Sequence, residues 1–536
     1  MSSSSVITLL GVLALATACG GAATRPVSDA PSSFAAFQAR EARDGVTLES
    51  EACGESCQAL RQELRYAVYV GKEIYCYWDM KSAETGIDYD ALAAELEASI
   101  TDATDLPAYY LLLSRWAAAF HDGHVNVYPP EDYNQLKLFE APLSVMVQAA
   151  GTDHERVLIA SAEPLSGALP GDEILAVNGK PIAEAMDDLE RIRSGSTPRM
   201  RRSRASLLVH AIGAQNGAQD LDLRVRRGDA ELDLAVYREA KIEPPAAPAT
   251  TPDTTATDSV KVMVLPGGVG YLRLDTMYAE GLEGVVTQAL DRLMATKGLI
   301  IDVRRNGGGD LPPGNLVISR LADKPVTRLQ RSTRLSNFIL NQRPHDFLLP
   351  TTDADPGYVA WAPHVVEPDA ALAYHGKPVV MLTGPRCFSA CDTFAAGIRS
   401  NGLAYVIGEG TGGGTGSPLG FDLPVSGLTF RYSVVRGKTA EGDFIESHGT
   451  LPDLVVEADA DTILGKADNQ LDAAYAHVLA ALGQASDAPA TSVAASVLDR
   501  VGSAFAPDAQ IEGGSRLGAE LRQQTRDAVN DEYRAP

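Results

Sequence analysis

Basic residues are scarce in this chain: 46 Lys and Arg stand against 70 Asp and Glu over 536 residues, a formal net charge of −24. So acidic a balance excludes nucleic acid as main partner, because phosphate binding needs a basic face. The one basic run, Arg199, Arg201, Arg202 and Arg204, is expected to be a solvated face or loop. Cysteine is scarce too, six in all and without a CxxC, and zinc-ligand spacings are absent. His121 and His124 lack a third partner at ligand spacing, so no metal is expected. There is no GK[ST] for a phosphate loop and no GxSxG, which argues against an α/β-hydrolase esterase. Gly408-x-Gly410-x-x-Gly413 has the look of a dinucleotide fingerprint. Ser417-Pro418 leads from it into more strand, however, so no helix N-terminus is offered to a pyrophosphate. No cofactor is expected, and no internal repeat is visible.

What is present is material for sizeable cores: 45% hydrophobic and 22% charged residues suit a soluble globular chain. The length suggests three or four domains. The apolar stretch Val6–Ala18 is too short to span a bilayer and ends in Leu15-Ala-Thr-Ala-Cys19-Gly-Gly. It resembles a bacterial lipoprotein signal peptide, which implies export, lipidation of Cys19 and attachment to the cell envelope through that lipid. Five cysteines then remain, Cys53, Cys57, Cys76, Cys387 and Cys391. An exported chain can oxidise some of them, and at least one stays unpaired within a monomer.

Along the chain, residues 1–18 are read as the signal peptide and 19–35 as a tether rich in Ala, Pro and Ser. Residues 36–128 are read as an N-terminal helical domain. Asp88 caps a helix with Leu92, Leu96 and Ile100 at helical spacing, and Leu106–Phe120 is a second helix. Residues 129–241 switch to short strands. Asn178-Gly179 supplies the two positive-φ positions of a tight hairpin between Glu173 and Ile182. Leu169-Pro-Gly-Asp-Glu-Ile-Leu-Ala-Val-Asn-Gly179 resembles PDZ domains, which implies a sheet edge that takes a peptide as an added strand. Residues 242–260 are a linker with almost no large apolar side chain. Residues 261–484 alternate strands and helices, which predicts an α/β layer architecture. The strands are Val269–Leu274, Leu299–Val303, Val379–Leu382, Tyr405–Ile407 and Leu428–Val435. The helices are Gly284–Thr296, Cys391–Ile398 and Asp468–Leu482. Residues 485–536 form a weakly patterned tail, with a helix expected over 516–533.

Ser389 opens the helix after the strand Val379–Leu382. A serine there is either an N-cap or a nucleophile, beside free amides and a dipole that favours negative charge. Asp302-Val-Arg-Arg-Asn-Gly-Gly-Gly-Asp310 ends a buried strand, where α/β folds place ligands. Its glycines are either a plain turn or a close backbone approach to a substrate oxygen. Cys387 and Cys391 are either small packing residues or a redox-sensitive pair around Ser389.

Four segments then occur in order: Asp302-x-Arg304-x-Asn306-x-Gly308-Gly309, Ser389-Ala-Cys-Asp392, Gly408-Glu409 and Glu446-Ser-His-Gly-Thr-Leu-Pro452-Asp453. With the helical region and PDZ-like module before them, they resemble the C-terminal processing (tail-specific) protease family, in its tricorn-core-like branch, over roughly residues 40 to 480. The resemblance implies a crotonase/ClpP-like α/β core and a serine endopeptidase acting on unfolded proteins or peptide tails. Tail-specific members use a lysine where this chain has Gly414, so a Ser–Lys dyad is excluded. The tricorn-like branch uses a histidine and a glutamate, matched here by His124 in His121-Asp-Gly-His124 and by Glu446. The implied site is Ser389 as nucleophile, His124 as base, Glu446 assisting, and the amides of Gly308 and Ala390 as oxyanion donors; His121 is left to the preceding helix. An imidazole in that role is expected to titrate near pH 6–7. The alternative is a non-catalytic protein of the same fold that binds an apolar ligand or a peptide tail.

Overall fold

The computed structural model describes residues 33–44, 53–129, 141–212, 220–237, 256–336, 351–352, 355–369, 376–484 and 491–505, with Pro31 and Tyr374. The signal-peptide reading, Cys19, most of both linkers and the helix expected over 516–533 lie outside them. The described chain is a mixed α/β structure of several sheets and helices.

The central sheet carries the site. Its order is Leu454–Val455, Tyr405–Gly408, Val379–Thr383, Gly298–Asp302, Val269–Leu274 and Val260–Leu265. The first five strands run parallel and the last is antiparallel to its neighbour. Gly298–Asp302 and Val379–Thr383 are buried along their whole length, as expected for parallel strands covered on both faces. One face is covered by the helices Leu282–Leu293, Pro312–Leu321 and Ala390–Ser400. The other is covered by Asn469–Ala481 and Thr491–Val501. The last of these falls within the segment read as a tail: its Val493, Ala494 and Val497 are buried in the core, and Arg273 donates to the carbonyls of Val501 and Gly502 at its C-terminal end.

The N-terminal helices do not close on themselves. Glu55–Ile74, Trp78–Thr85, Tyr89–Ser99 and Leu106–Ala118 share one core with Leu419, Leu428, Phe430 and Tyr432. Those four come from the hairpin Pro418–Asp422 and Thr429–Ser433, to which Asn126–Tyr128 adds as a third, antiparallel strand. Trp116 Nε1 donates to Tyr432 Oη at 2.7 Å, so a polar tip is satisfied inside an aromatic core.

The middle region is an antiparallel sheet of Leu143–Gln148, Arg156–Ala162, Glu173–Val177, Asp220–Arg227 and Ala230–Tyr237. Asn178 and Gly179 turn its hairpin with φ of 49° and 76°, the torsions that a type I′ turn requires. The basic run corrects the sequence reading. Pro198–Ser206 is a helix capped by Thr197; Arg201 and Arg202 pair with Glu190, Glu155 and Asp187 of the same region, while Arg199 and Arg204 reach partners outside it. Arg199 binds Glu409 at 2.6 Å and Glu457 at 3.1 Å. Arg204 donates to the carbonyls of Gly123 and Ser194, each at 3.0 Å. Four like charges in a row read as a wet surface only while their distant carboxylates and carbonyls are out of view.

Candidate active site

Ser389 stands where the strand Val379–Thr383 gives way to the helix Ala390–Ser400, with φ 61° and ψ −118°. A side chain other than glycine is strained in that region, and such strain concentrates at functional positions. What holds it there is Asp392, one turn on. Its carboxylate accepts the amides of Ser389 (3.2 Å), Gly413 (3.0 Å) and Gly414 (2.9 Å). Burial pushes the Asp392 carboxyl up to about 7, against hydrogen bonds from Thr411 and those amides that pull it down. The disulfide Cys387–Cys391 spans the same turn, and both cysteines are fully buried. A second disulfide joins Cys53 and Cys57, and Cys76 is free.

Gly308 backs the serine. A Cβ there would stand 2.5 Å from the Phe388 carbonyl oxygen, 2.8 Å from Ser389 Cβ and 3.0 Å from the Ala390 nitrogen. With φ 101° it has both reasons to be glycine, torsion and proximity. Gly308, Ser389 and Ala390 are thus brought together. The Ala390 amide, first of its helix, has no intrahelical acceptor, whereas the Gly308 amide is turned to Asn306 Oδ1 at 2.9 Å. Behind this turn Arg304 is fully buried and pairs with Asp302 (2.7 Å) and Asp468 (2.8 Å), which fixes the strand end.

His124 lies across the Phe388 ring from this group, centroids 4.4 Å apart. Its Nδ1 accepts the Gly416 amide at 3.3 Å and stands 4.0 Å from Asp122 Oδ1. Asp122 also takes the His124 amide at 2.8 Å and the Ser433 hydroxyl at 2.7 Å. With Nδ1 accepting, the ring hydrogen is assigned to Nε2. Burial, with Arg431 and Arg204 adding to it, holds the imidazole well below its ordinary 6.5. The expectation of titration at pH 6–7 is therefore shifted downward: burial favours the neutral imidazole. The hydrogen bonds of His124 and Ser389 do not join the two side chains directly. Phe388 stands between their surroundings, and the guanidinium of Arg204 covers its ring at 4.9 Å.

Glu446 is fully buried and is not bonded to His124. It takes the Thr415 amide at 3.4 Å and a hydrogen bond from the Ser196 hydroxyl, which in turn accepts the amide of Gly123. The glutamate therefore reaches the His121–His124 turn through a serine. Burial, then Asp122, push its carboxyl up to about 8, and Lys81 opposes them. His121, with φ 46°, presents its carbonyl to Lys81 rather than joining the helix before it.

Sequence reasoning missed Lys81, Asp122, Phe388 and Asp392 as parts of the site, and misjudged Arg204. Asp122 and Asp392 lay inside quoted motifs, so their position was a signal. Lys81 and Phe388 carried none.

A strained serine at a helix start, a glycine turn pressed against it and a buried histidine nearby thus share one region of an α/β architecture. Residues 268–456 match the model of peptidase family S41, and the chain thus carries an S41 domain and is a serine-type peptidase. Among solved structures, mature CPAF complexed with lactacystin aligns at 17% identity and a TM-score of 0.60, covering 80% of this chain and 98% of that one. Mature CPAF alone aligns at 17% identity and 0.58, covering 77% and 95%. At these identities the likeness is one of fold. Tricorn protease aligns at 14% identity and 0.40, covering 80% of this chain and 37% of its own.

Proposed function

We propose that the chain is a serine endopeptidase of the tail-specific, tricorn-like kind, cutting unfolded proteins or peptide tails in the cell envelope. The observation that carries the reading is the packing of Gly308 against Ser389 and Ala390, with the serine held at φ 61°. Ser389 is the nucleophile and His124 the base. The described arrangement is the resting form, and in the working one imidazole and hydroxyl close to about 2.6–3.2 Å. Ala390 supplies one oxyanion amide, and Gly308 a second when it exchanges Asn306 for substrate. One such donor is typically worth about 2.7–4 kcal/mol in the transition state. Glu446 assists through Ser196 and the Gly123 amide. The core is read as crotonase/ClpP-like, and the middle sheet as a PDZ-like module that takes a substrate tail as an added strand. Export and anchoring through a lipid on Cys19 complete the proposal.

The test is labelling with a fluorophosphonate probe and hydrolysis of fluorescein-labelled casein by the protein from Gly20 onward. Loss of both in Ser389→Ala and weakening of both in His124→Ala are expected. Labelling that survives Ser389→Ala overturns the assignment of the nucleophile.

A further inference from the structure

Lys81 lies on the helix Trp78–Thr85 and has no exposed surface. An ammonium has three N–H donors, and this one faces three acceptors. They are the His121 carbonyl at 2.7 Å, the Ser447 hydroxyl at 2.5 Å and Glu446 Oε1 at 3.0 Å. Taking such an ion out of water costs several kcal/mol, so its burial demands partners of this quality. All three lie in segments that carry proposed site residues, the turn His121–His124 and the stretch Glu446–Ser447. The latter is itself strained, with Ser447 at φ 70°, and its hydroxyl is shared with Glu84 at 2.6 Å.

We propose that Lys81 is a positioning residue of the peptidase site: the buried cation that draws Glu446 towards its carboxylate form and ties it to the turn bearing His124. The inference rests on the roles given above to Ser389, His124 and Glu446. All three donors of Lys81 are engaged, so it is not a stand-in for the lysine of a Ser–Lys dyad. Its work is electrostatic and geometric. Glu446 faces the buried carboxylate of Asp122, the uncharged Tyr75, Cys76 and Tyr77, and the hydroxyl of Ser196. Lys81 is the one cation that stands in contact with it among the described residues. Without it, two carboxylates would share a buried site, and like charges drive one of them to protonate. Glu446 would then lose the charge that its role toward the histidine turn requires. The same loss would free the His121 carbonyl and slacken the placement of His124.

The experiment compares wild type with Ser389→Ala, Lys81→Met, Glu446→Gln and the Lys81→Met/Glu446→Gln double variant. The readouts are fluorophosphonate labelling and casein hydrolysis from pH 6 to 9.5. Each single variant at Lys81 or Glu446 is expected to lower kcat about 100-fold, the scale of lost acid–base assistance, with KM within about twofold. The double variant should be no slower than the slower single, because parts of one unit are not additive. Lys81→Met should also move the rising limb of the rate to higher pH. If Lys81→Met alone does not fold, the double variant, which leaves no unpaired charge, is compared with Glu446→Gln, and equal kcat supports the proposal. Wild-type kcat and an unmoved pH limb in Lys81→Met overturn it, as do losses that multiply in the double variant. A wild type that is neither labelled nor active sinks the serine reading itself, and this inference with it; an active wild type with an indifferent Lys81 sinks only the inference.

Discussion

Gly414 occupies the place where the resemblance to the tail-specific family implies a lysine, and the structure explains why no side chain stands there. A Cβ on Gly414 would overlap Cε2 and Cζ of the Phe388 ring and reach Cδ2 at 3.1 Å. The backbone at Gly414 lies outside the left-handed region, so Gly414→Ala is a test of space alone. To admit one methyl, the ring must leave His124, 4.4 Å away, and Arg204, 4.9 Å away. Overpacking costs about 1–3 kcal/mol, and loss of the aromatic contact adds about 0.5–1.5. Stiffening of the unfolded chain returns about 0.4–1, which leaves a net loss of about 2 kcal/mol. Urea denaturation followed by circular dichroism would register this as a midpoint lowered by about 1 M, for a slope near 2 kcal/mol per molar. Casein hydrolysis should fall with it, since the ring that moves is the one on the proposed base. Phe388→Val should relieve the clash, giving a coupling of at least about 1 kcal/mol in the double-variant cycle. Losses that add, or a Gly414→Ala protein as stable and active as wild type, would refute the reasoning. By the same argument Gly414→Lys in a His124→Ala background stays inactive.

The rate is expected to show no inflection between about pH 5.5 and 6.5, where an ordinary imidazole titrates, and to keep rising until about 8 as Glu446 ionises. A limb near 6.5 that Glu446→Gln leaves in place would contradict both shifts. His121, lowered to about 4 by burial, then by Arg201 and Lys81, stays neutral in the fold while the unfolded imidazole takes its proton near 6.5. The unfolded state thus binds more protons, and wild type should lose stability relative to His121→Asn as pH falls from about 6.5 to 4; parallel curves would argue against it. Arg304→Ala strands Asp302 and Asp468 without their shared cation and should cost about 3–5 kcal/mol in chemical denaturation, whereas a loss under 1 would mean water reaches the pair.

The sequence was most legible where local pattern and chemistry coincide. The parallel strands announced themselves as apolar runs, the Asn178-Gly179 hairpin by its turn residues, and the Asp88 helix by its cap, which accepts from Asp90 and Ala91. Ser389 was visible because strand, turn and helix meet there in one stretch of chain. The links between segments were not visible. Lys81 sits in an unremarkable helical sequence, and only the fold shows that Glu446, 365 residues later, is its partner. Arg204 failed for the same reason in reverse: a polar run has no local sign that its partners are buried carbonyls.

The shared core of the N-terminal helices has a consequence for biosynthesis. Phe430 and Tyr432, which complete that core, leave the ribosome about 300 residues after Asn126–Tyr128, the strand that pairs with theirs; at roughly 5–20 residues per second that is a wait of about 15–60 s. Until then His124 has no strand to lie against, Lys81 has no Glu446, and Ser389 has only just been made. On the proposed reading, a nascent peptidase built this way is harmless to its own unfinished chain, because His124 and Lys81 belong to the first quarter of the sequence while Ser389 and Glu446 come only in its second half.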